Sequence, residues 1–243
     1  MPSHPPISLL APYALSHPHL PRGLYYIPDF ITEQEETLLM GKVVEAPRSK
    51  WVTLSRRRLQ YYGGTPHAKG IIQEPLPSWV KLPFDRFDQL GIFPGGSGGP
   101  DHLLINEYHP GQGIMPHEDG PYYLPTVATI SLGSHIILDL YSSAPPSPGG
   151  PSHVSILLKR RSLVILSEEA YTSWLHGIAE RTEDARLEGM AKGDLDLWVD
   201  PASPSSCPPS SSVLEILQRS TRISLTYRQV ANPIRIPKHL RPS

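Results

Sequence analysis

The chain has 243 residues, of which 39% are hydrophobic and 19% charged, with 29 prolines and a formal net charge of −1. This length suits one domain with long loops. The near-zero charge excludes a global field that attracts nucleic acid, so any such binding needs a local basic patch. The single cysteine, Cys207, excludes a disulfide framework within the chain and a thiolate-rich zinc site.

The first 23 residues, MPSHPPISLLAPYALSHPHLPRG, lack the basic region and the unbroken apolar run of a signal peptide. No segment reaches the roughly 18 apolar residues that span a bilayer. We therefore expect a soluble intracellular protein of the nucleus and cytoplasm, monomeric and without a membrane partner.

The N-terminal part of the chain predicts a tail and then a helix. Residues 1–22 are rich in proline and histidine, which is typical of a disordered segment. Thr32 and Glu35 form a capping-box pattern, and the apolar residues that follow have helical spacing. A first helix is therefore expected just after Thr32.

The next segment alternates strand and helix signals. Residues 51–64, WVTLSRRRLQYYGG, predict a strand, a basic run, an aromatic pair and a turn. Residues 75–90 predict a second helix that starts after Pro83. We interpret residues 23–100 as an N-terminal extension that is helical and forms a lid on the part of the chain that follows.

From residue 101 the sequence consists of short, β-branched and often alternating segments bounded by turn residues. Many short strands without intervening helices predict an antiparallel sandwich or barrel, here residues 101–230. Low-complexity inserts near 142–153 and 182–215 are expected to be mobile. Residues 231–243 are interpreted as a basic tail.

The stretch GIMPHEDGPYY contains His117 and Asp119, two residues apart. One such pair is a weak signal, because a surface turn can carry it by chance. A His-Glu-x-x-His site would need histidine at position 121, which is Pro121, and a zinc deaminase needs more cysteine than the chain has.

A site of two histidines and one carboxylate fits better. On a strand, His117 and Asp119 would share one face and Glu118 would point away. His176, on a short apolar stretch after another predicted strand, can supply the third ligand. This facial triad leaves coordination positions open and is typical of non-haem Fe(II) oxygenases.

The strand RISLTYR would place Arg222, Ser224, Thr226 and Arg228 on one face. Two arginines inside a small barrel are costly unless an anion pairs with them. A dianion such as 2-oxoglutarate would do so. The alternative is a basic edge strand that contributes only to solubility.

Several motifs occur in an order that carries a resemblance: NEY (106–108), PHED (116–119), SLGS (131–134), RSLVILSEEAYTSWLHGI (161–178) and TRISLTYR (221–228). Together they resemble the AlkB family of Fe(II)/2-oxoglutarate dioxygenases, and most closely its homologue-six group. The resemblance covers residues 24–230. It implies a mainly β fold with N-terminal helices around a double-stranded β-helix, or jelly roll.

The resemblance also implies an activity and a ligand set. His117, Asp119 and His176 would hold Fe(II), with 2-oxoglutarate and O2 as co-substrates. The expected reaction is oxidative demethylation or hydroxylation of a nucleic-acid base, with succinate and CO2 as products. The same chemistry on a protein side chain, and a nucleic-acid-binding protein with weak or no catalysis, remain alternatives.

For the co-substrate, the resemblance implies that Arg222 pairs with the distal carboxylate and Arg228 contacts the carboxylate beside the metal. Asn106 and Tyr108 match positions that hydrogen-bond 2-oxoglutarate. Ser224 stands where many relatives carry asparagine.

The expected substrate is single-stranded or locally opened nucleic acid, since such enzymes act on an extruded base. Arg56, Arg57 and Arg58 could contact phosphates, and Tyr61 and Tyr62 could stack on a base. The alternative is a hairpin with a solvated basic tip and aromatic residues packed on the core.

In the founding AlkB enzymes an acidic residue shortly after the His-x-Asp pair helps to hold the damaged base. Here GPYY follows the His-x-Asp pair, and there is no Asp or Glu between Asp119 and Asp139. Tyr122 and Tyr123 could line the pocket instead, or belong only to a hairpin.

Overall fold

The structure is a computed structural model that describes residues 9–16, 20–67, 70–93, 99–143, 153–187, 197–199 and 213–234. Cys207 and most of both low-complexity inserts lie outside the described residues. The α-helices and 3-10 turns are α1 (Glu33–Val44), α2 (Phe84–Leu90), α3 (Glu168–Thr172), Ala11–Tyr13, Arg48–Lys50 and Ser78–Lys81. None of the described helices combines the length and apolar character needed to cross a bilayer.

Antiparallel strands form most of the described fold. The strands are β1 (Leu24–Ile27), β2 (Val52–Leu54), β3 (Arg57–Tyr62), β4 (Pro66–His67), β5 (Gly70–Ile71), β6 (His102–Tyr108), β7 (Ile114–His117), β8 (Tyr123–Leu132), β9 (Ile136–Ser142), β10 (His153–Leu158), β11 (Leu163–Ser167), β12 (Trp174–Ile178), β13 (Glu183–Leu187), β14 (Leu197–Val199), β15 (Val213–Gln218) and β16 (Arg222–Val230).

Two large sheets make the core. The major sheet has the order β1-β11-β8-β16-β6-β3-β2, and the minor sheet has the order β14-β10-β9-β12-β7. One hydrophobic cluster lies between the N-terminal helices and the major sheet, and a second joins the two sheets. This is the mainly β, double-stranded β-helix architecture that the resemblance implies, with helices added before it.

The predicted helix starts are confirmed. The hydroxyl of Thr32 accepts a hydrogen bond from the backbone N–H of Glu35, and the Glu35 carboxylate accepts one from the N–H of Thr32. These reciprocal bonds satisfy two donors that the first turn of a helix leaves free. Pro83 is the residue immediately before α2.

Strand β16 decides where the polar site lies. It runs between β8 and β6, so both of its edges are paired. Leu225 and Tyr227 are fully buried in the cluster under the helices. The alternate residues therefore face the minor sheet, as the sequence pattern predicts.

The N-terminal segment differs from the expected disordered tail. Leu10 and Leu15 are buried, and the N–H of Leu15 donates to the carbonyl of Leu24 at 2.9 Å. Because these apolar side chains extend the core, residues 9–16 belong to the folded domain. The prediction of disorder over residues 1–22 is wrong for this part.

The second insert also contains structure at its ends. Strands β13 and β15 pair antiparallel, and both begin within residues 182–215, the segment expected to be mobile. At the other end of the described chain, Ile234 forms an isolated parallel bridge with Ile72. The folded domain thus continues a few residues past 230.

Strand β6 begins with a buried histidine that yields a testable pH dependence. His102 lies opposite Arg228, and its Nε2 is 3.2 Å from the carbonyl of Gly64, to which the neutral ring donates. Burial, reinforced by the positive charge of Arg228, lowers the pKa of His102 to about 3. The folded protein therefore holds His102 neutral at neutral pH.

Because unfolded histidine takes up a proton below about pH 6.5 and folded His102 does so only near 3, stability should fall as pH falls through this window. The loss amounts to about 1.4 kcal/mol per pH unit. His102→Gln keeps a donor for Gly64 and does not titrate. Urea unfolding between pH 7 and 5 should show that the free energy of unfolding falls more steeply with falling pH in the unmodified protein than in His102→Gln. Equal pH dependence in the two proteins would contradict the prediction.

Candidate metal and co-substrate site

A cavity of about 240 Å³ lies between the two sheets. One part of its wall is apolar and comes from both sheets: Val127, Leu138, Leu158, Val164 and Leu166. The other part carries the predicted metal and co-substrate residues: Asn106, Tyr108, His117, Asp119, His176, Arg222, Ser224 and Arg228. All eight therefore meet in one place, although they are spread over more than 120 positions of the chain.

The two histidines are neighbours because β7 pairs with β12. His117 lies directly opposite His176, and their ring centroids are 4.3 Å apart. The Nδ1 of His117 donates to the carbonyl of Met115 at 2.9 Å, which leaves its Nε2 lone pair available to a metal. Burial lowers the pKa of His176 to about 4, so its ring is neutral at pH 7, as a metal ligand must be.

Asp119 reaches the cavity in a different way from that predicted. Strand β7 ends at His117, so the alternation of a strand does not extend to Asp119. The loop after the strand brings in its carboxylate, which is ion-paired with Arg228; the two side chains are 4% and 8% exposed. Glu118 is exposed and also borders the cavity, so the expectation that it points away is only partly right.

The side chains that could hold Fe(II) are not arranged around a metal position before the metal binds. Within the described ranges, no three His, Cys, Asp or Glu side chains already surround one metal position, and the Asp119 carboxylate is instead engaged by Arg228. However, Asp119 Oδ2 is buried without a hydrogen-bond partner, an arrangement that a cation would relieve. Two imidazoles and one carboxylate that border the same cavity are a ligand set that fits Fe(II) chemically.

Arg222 is the most deeply buried cation that borders the cavity. It is 3% exposed, and its Nη2 donates to the hydroxyl of Ser131 at 2.9 Å, while its buried Nε has no partner. Burial lowers its pKa to about 10, so the guanidinium stays charged at pH 7. A buried charge with an unused donor is suited to binding an anion.

Arg228 lies at the other end of the same strand face. Besides Asp119, it lies over the ring of Tyr123, with 4.8 Å from the guanidinium carbon to the ring centroid. Its Nε is also buried without a partner. Both arginines on β16 therefore retain a donor that nothing in the described chain satisfies.

The remaining polar groups are placed by register. Tyr108 lies opposite Arg222, and Asn106 lies opposite Ser224. Burial raises the pKa of Tyr108, so its phenol is neutral and can donate a hydrogen bond. Together with the arginines, these groups form a donor-rich wall.

The three consecutive arginines have separate environments. Arg56 is ion-paired with Glu180. Arg57 borders the cavity, and its Nε donates to Asn106 Oδ1 at 3.0 Å. Arg58 donates to both oxygens of Glu107, at 2.6 and 2.8 Å, and lies 4.0 Å over the Trp51 ring. They do not form one basic patch.

The tyrosines proposed to contact substrate lie outside the cavity wall. The Tyr61 ring is 6.1 Å from that of His102, and Tyr62 packs edge-on against Trp79 at 5.3 Å. The carbonyl of Tyr122 accepts from the N–H of Ala231 at 2.8 Å. This resembles the alternative in which the aromatic residues of the hairpin pack on the core, and their contact with substrate stays a prediction.

Sequence reasoning assigned no role to Ser131, which holds Arg222, and left the role of Tyr123 open. Ser131 lies opposite Ser224 across β8 and β16. A residue facing a predicted binding residue across a sheet was a possible signal, but it required the strand order, which the sequence does not contain.

Comparisons with known proteins agree with this geometry. The family model of the 2OG-Fe(II) oxygenase superfamily matches residues 32–228. A Danio rerio protein named "Probable RNA/DNA demethylase ALKBH6" is 42% identical over 222 residues, covering 88% of each chain. A Xenopus tropicalis tRNA (carboxymethyluridine(34)-5-O)-methyltransferase, alkbh8, is 31% identical over 224 residues, covering 88% of this chain and 32% of its own length.

Among solved structures, that of OsALKBH1 superposes with a TM-score of 0.52 and 13% identity, covering 85% of this chain and 96% of the other. At this identity the likeness shows the fold alone.

The chain therefore belongs to the 2OG-Fe(II) oxygenase superfamily. It is a dioxygenase, with Fe(II) as its metal and with 2-oxoglutarate and O2 as co-substrates. Its sequence is of AlkB type and is similar to homologue six, as the motif order predicts.

Proposed function

We propose that this dioxygenase oxidises an alkylated base in single-stranded or locally opened nucleic acid, by demethylation or hydroxylation. The observation that carries the proposal is the convergence of the eight metal and co-substrate residues on one cavity between the sheets. The nucleic-acid substrate is supported by the 42% identical relative, whose name describes an RNA/DNA demethylase.

In this proposal, His117, Asp119 and His176 hold Fe(II). When bound, the metal activates O2 for oxidation of a C–H bond while 2-oxoglutarate is converted to succinate and CO2. Arg222 would pair with the distal carboxylate of 2-oxoglutarate. Arg228 would hold the carboxylates beside the metal in place, since it already pairs with Asp119.

The other side chains control the surroundings of the reacting atoms. Tyr108 and Asn106 would donate hydrogen bonds to the co-substrate, together with the Ser224 hydroxyl. The apolar wall excludes water, which strengthens the electrostatic interactions inside the cavity. Glu118 and Gly120 are both exposed and border the cavity, so an extruded base would enter beside them.

Succinate formation tests this function. The protein is supplied with Fe(II), 2-oxoglutarate and O2. The candidate substrates are N-methylated single-stranded RNA, N-methylated single-stranded DNA, and the same strands in duplex form. We expect single-stranded methylated substrates to raise the rate of succinate formation above the rate without substrate. Mass spectrometry of the strands should then detect loss of the methyl group. Unmodified strands are the matched controls.

A second set of reactions contains peptides in place of oligonucleotides. Stimulation by a peptide, with none by any oligonucleotide, would contradict the proposed substrate class and leave the dioxygenase chemistry in place. Equal stimulation by methylated and unmodified strands would contradict demethylation.

A further inference from the structure

Arg57 occupies a place in the site that the expected set of co-substrate ligands does not include. It is the first residue of β3, near the tip of the β2–β3 hairpin at the edge of the major sheet. Its side chain is half-buried, borders the cavity, and donates from Nε to Asn106 Oδ1 at 3.0 Å. Across the ranges that the structure describes, no carboxylate pairs with it.

This hydrogen bond determines which way the Asn106 amide faces. A guanidinium has only donors, so the amide atom next to Arg57 must be the oxygen. Asn106 is 6% exposed, so few alternative partners are available to it. With Oδ1 occupied by Arg57, the group left to face the cavity is the Nδ2 amide, which has two donors and suits an anionic ligand.

The neighbouring arginines show that this role belongs to one position. Arg56 pairs with Glu180 at the surface, where the two side chains are 57% and 39% exposed. Arg58 points to the opposite face and holds Glu107, which is 4% exposed. Only the central arginine of the run reaches a residue of the proposed co-substrate site.

We propose that Arg57 is a positioning residue for 2-oxoglutarate, which orients the Asn106 amide and couples the β2–β3 hairpin to the bound co-substrate. The proposal rests on the placement of 2-oxoglutarate beside Asn106 under the proposed function. Its consequence is that co-substrate binding stabilises the hairpin, because a ligand held by Asn106 reinforces the Arg57–Asn106 hydrogen bond at the start of β3. The hairpin carries the exposed side chains of Val52 and Leu54, so it also borders solvent.

The first test is the affinity for 2-oxoglutarate, measured by calorimetry without O2 and with Mn(II) in place of Fe(II). Loss of a hydrogen bond from a charged group predicts that Arg57→Gln weakens binding about tenfold. Arg57→Lys, which keeps a cationic donor, should recover part of this loss. Arg56→Gln is the matched neighbour and should leave the affinity for 2-oxoglutarate unchanged.

A double-mutant cycle separates positioning from a general structural effect. If Arg57 acts through Asn106, Arg57→Gln should cause no further loss of affinity once Asn106→Ala is present. Hydrogen exchange of residues 52–62 supplies a second measurement: 2-oxoglutarate with Mn(II) should slow exchange in the unmodified protein, and this slowing should disappear in Arg57→Gln.

Arg222→Gln separates a wrong role for Arg57 from a wrong placement of 2-oxoglutarate. If Arg222→Gln loses affinity while Arg57→Gln does not, or if Arg57→Gln remains fully harmful in the Asn106→Ala background, Arg57 is not a positioning residue and the proposed site stands. If Arg222→Gln and Asn106→Ala both bind 2-oxoglutarate normally, the proposed placement of the co-substrate is wrong, and this inference with it.

Discussion

Replacing His176 with alanine is expected to abolish succinate formation from 2-oxoglutarate, with or without nucleic acid. The ring lies opposite His117 across β7 and β12, and burial keeps it neutral, with a pKa of about 4. Loss of an outer hydrogen-bond partner already costs a metal site roughly 10- to 100-fold in affinity or activity, so loss of a ligand should cost more. Succinate formation and Mn(II) binding measure the two effects separately.

His153→Ala is the matched control for this substitution. His153 is also a histidine of the minor sheet, but it stacks on Tyr141 at 5.2 Å and does not border the cavity. Its removal should leave both succinate formation and Mn(II) affinity unchanged. If His176→Ala retained normal metal affinity, His176 would not be a ligand and the proposed iron site would need a different third residue.

The second large effect concerns stability. Arg219 and Asp184 form an ion pair in which the side chains are 3% and 1% exposed. Both carboxylate oxygens accept hydrogen bonds from the guanidinium, each at 2.7 Å, and Arg219 Nη1 also donates to the carbonyl of Ala179. Burial alone would raise the pKa of Asp184, but the contact with His135, whose Nε2 lies 3.2 Å from Asp184 Oδ2, and the hydrogen bonds from Arg219 lower it below its usual value.

Arg219→Met should therefore lower the free energy of unfolding by about 3–5 kcal/mol, since it leaves an ionised carboxylate buried without its main partner. Urea or thermal unfolding at pH 7 measures the change. The double variant Arg219→Met/Asp184→Leu should recover much of the loss, because replacing a whole buried pair with apolar groups is often nearly neutral.

A surface pair supplies the comparison. Lys42 Nζ lies 2.7 Å from Glu45 Oε2, and the two side chains are 44% and 66% exposed. Lys42→Gln should lower the free energy of unfolding by less than about 1 kcal/mol. A similarly small cost for Arg219→Met would show that Asp184 gains water or another cation on substitution, and would contradict the account of this pair.

Sequence reasoning was most successful where a local rule governs the outcome. The capping box at Thr32 depends on residues three positions apart, and the cavity-facing side of β16 depends on the alternation of a strand. It was least successful for Asp119. The sequence offered a strand rationale for its orientation, whereas the strand ends at His117 and a loop delivers the carboxylate to Arg228.

The sequence by itself determined the chemical inventory of this protein: a His-x-Asp pair, a later histidine, two arginines on one strand face and the motif order of its family. These are properties of residue type and short-range periodicity, which the chain carries before it folds. Only the tertiary structure decided that Arg56, Arg57 and Arg58 serve three different partners, and that residues 9–16 join the core. The reason is physical: those outcomes depend on which strands lie side by side, and the energy of a side chain depends on partners that lie far away in the sequence.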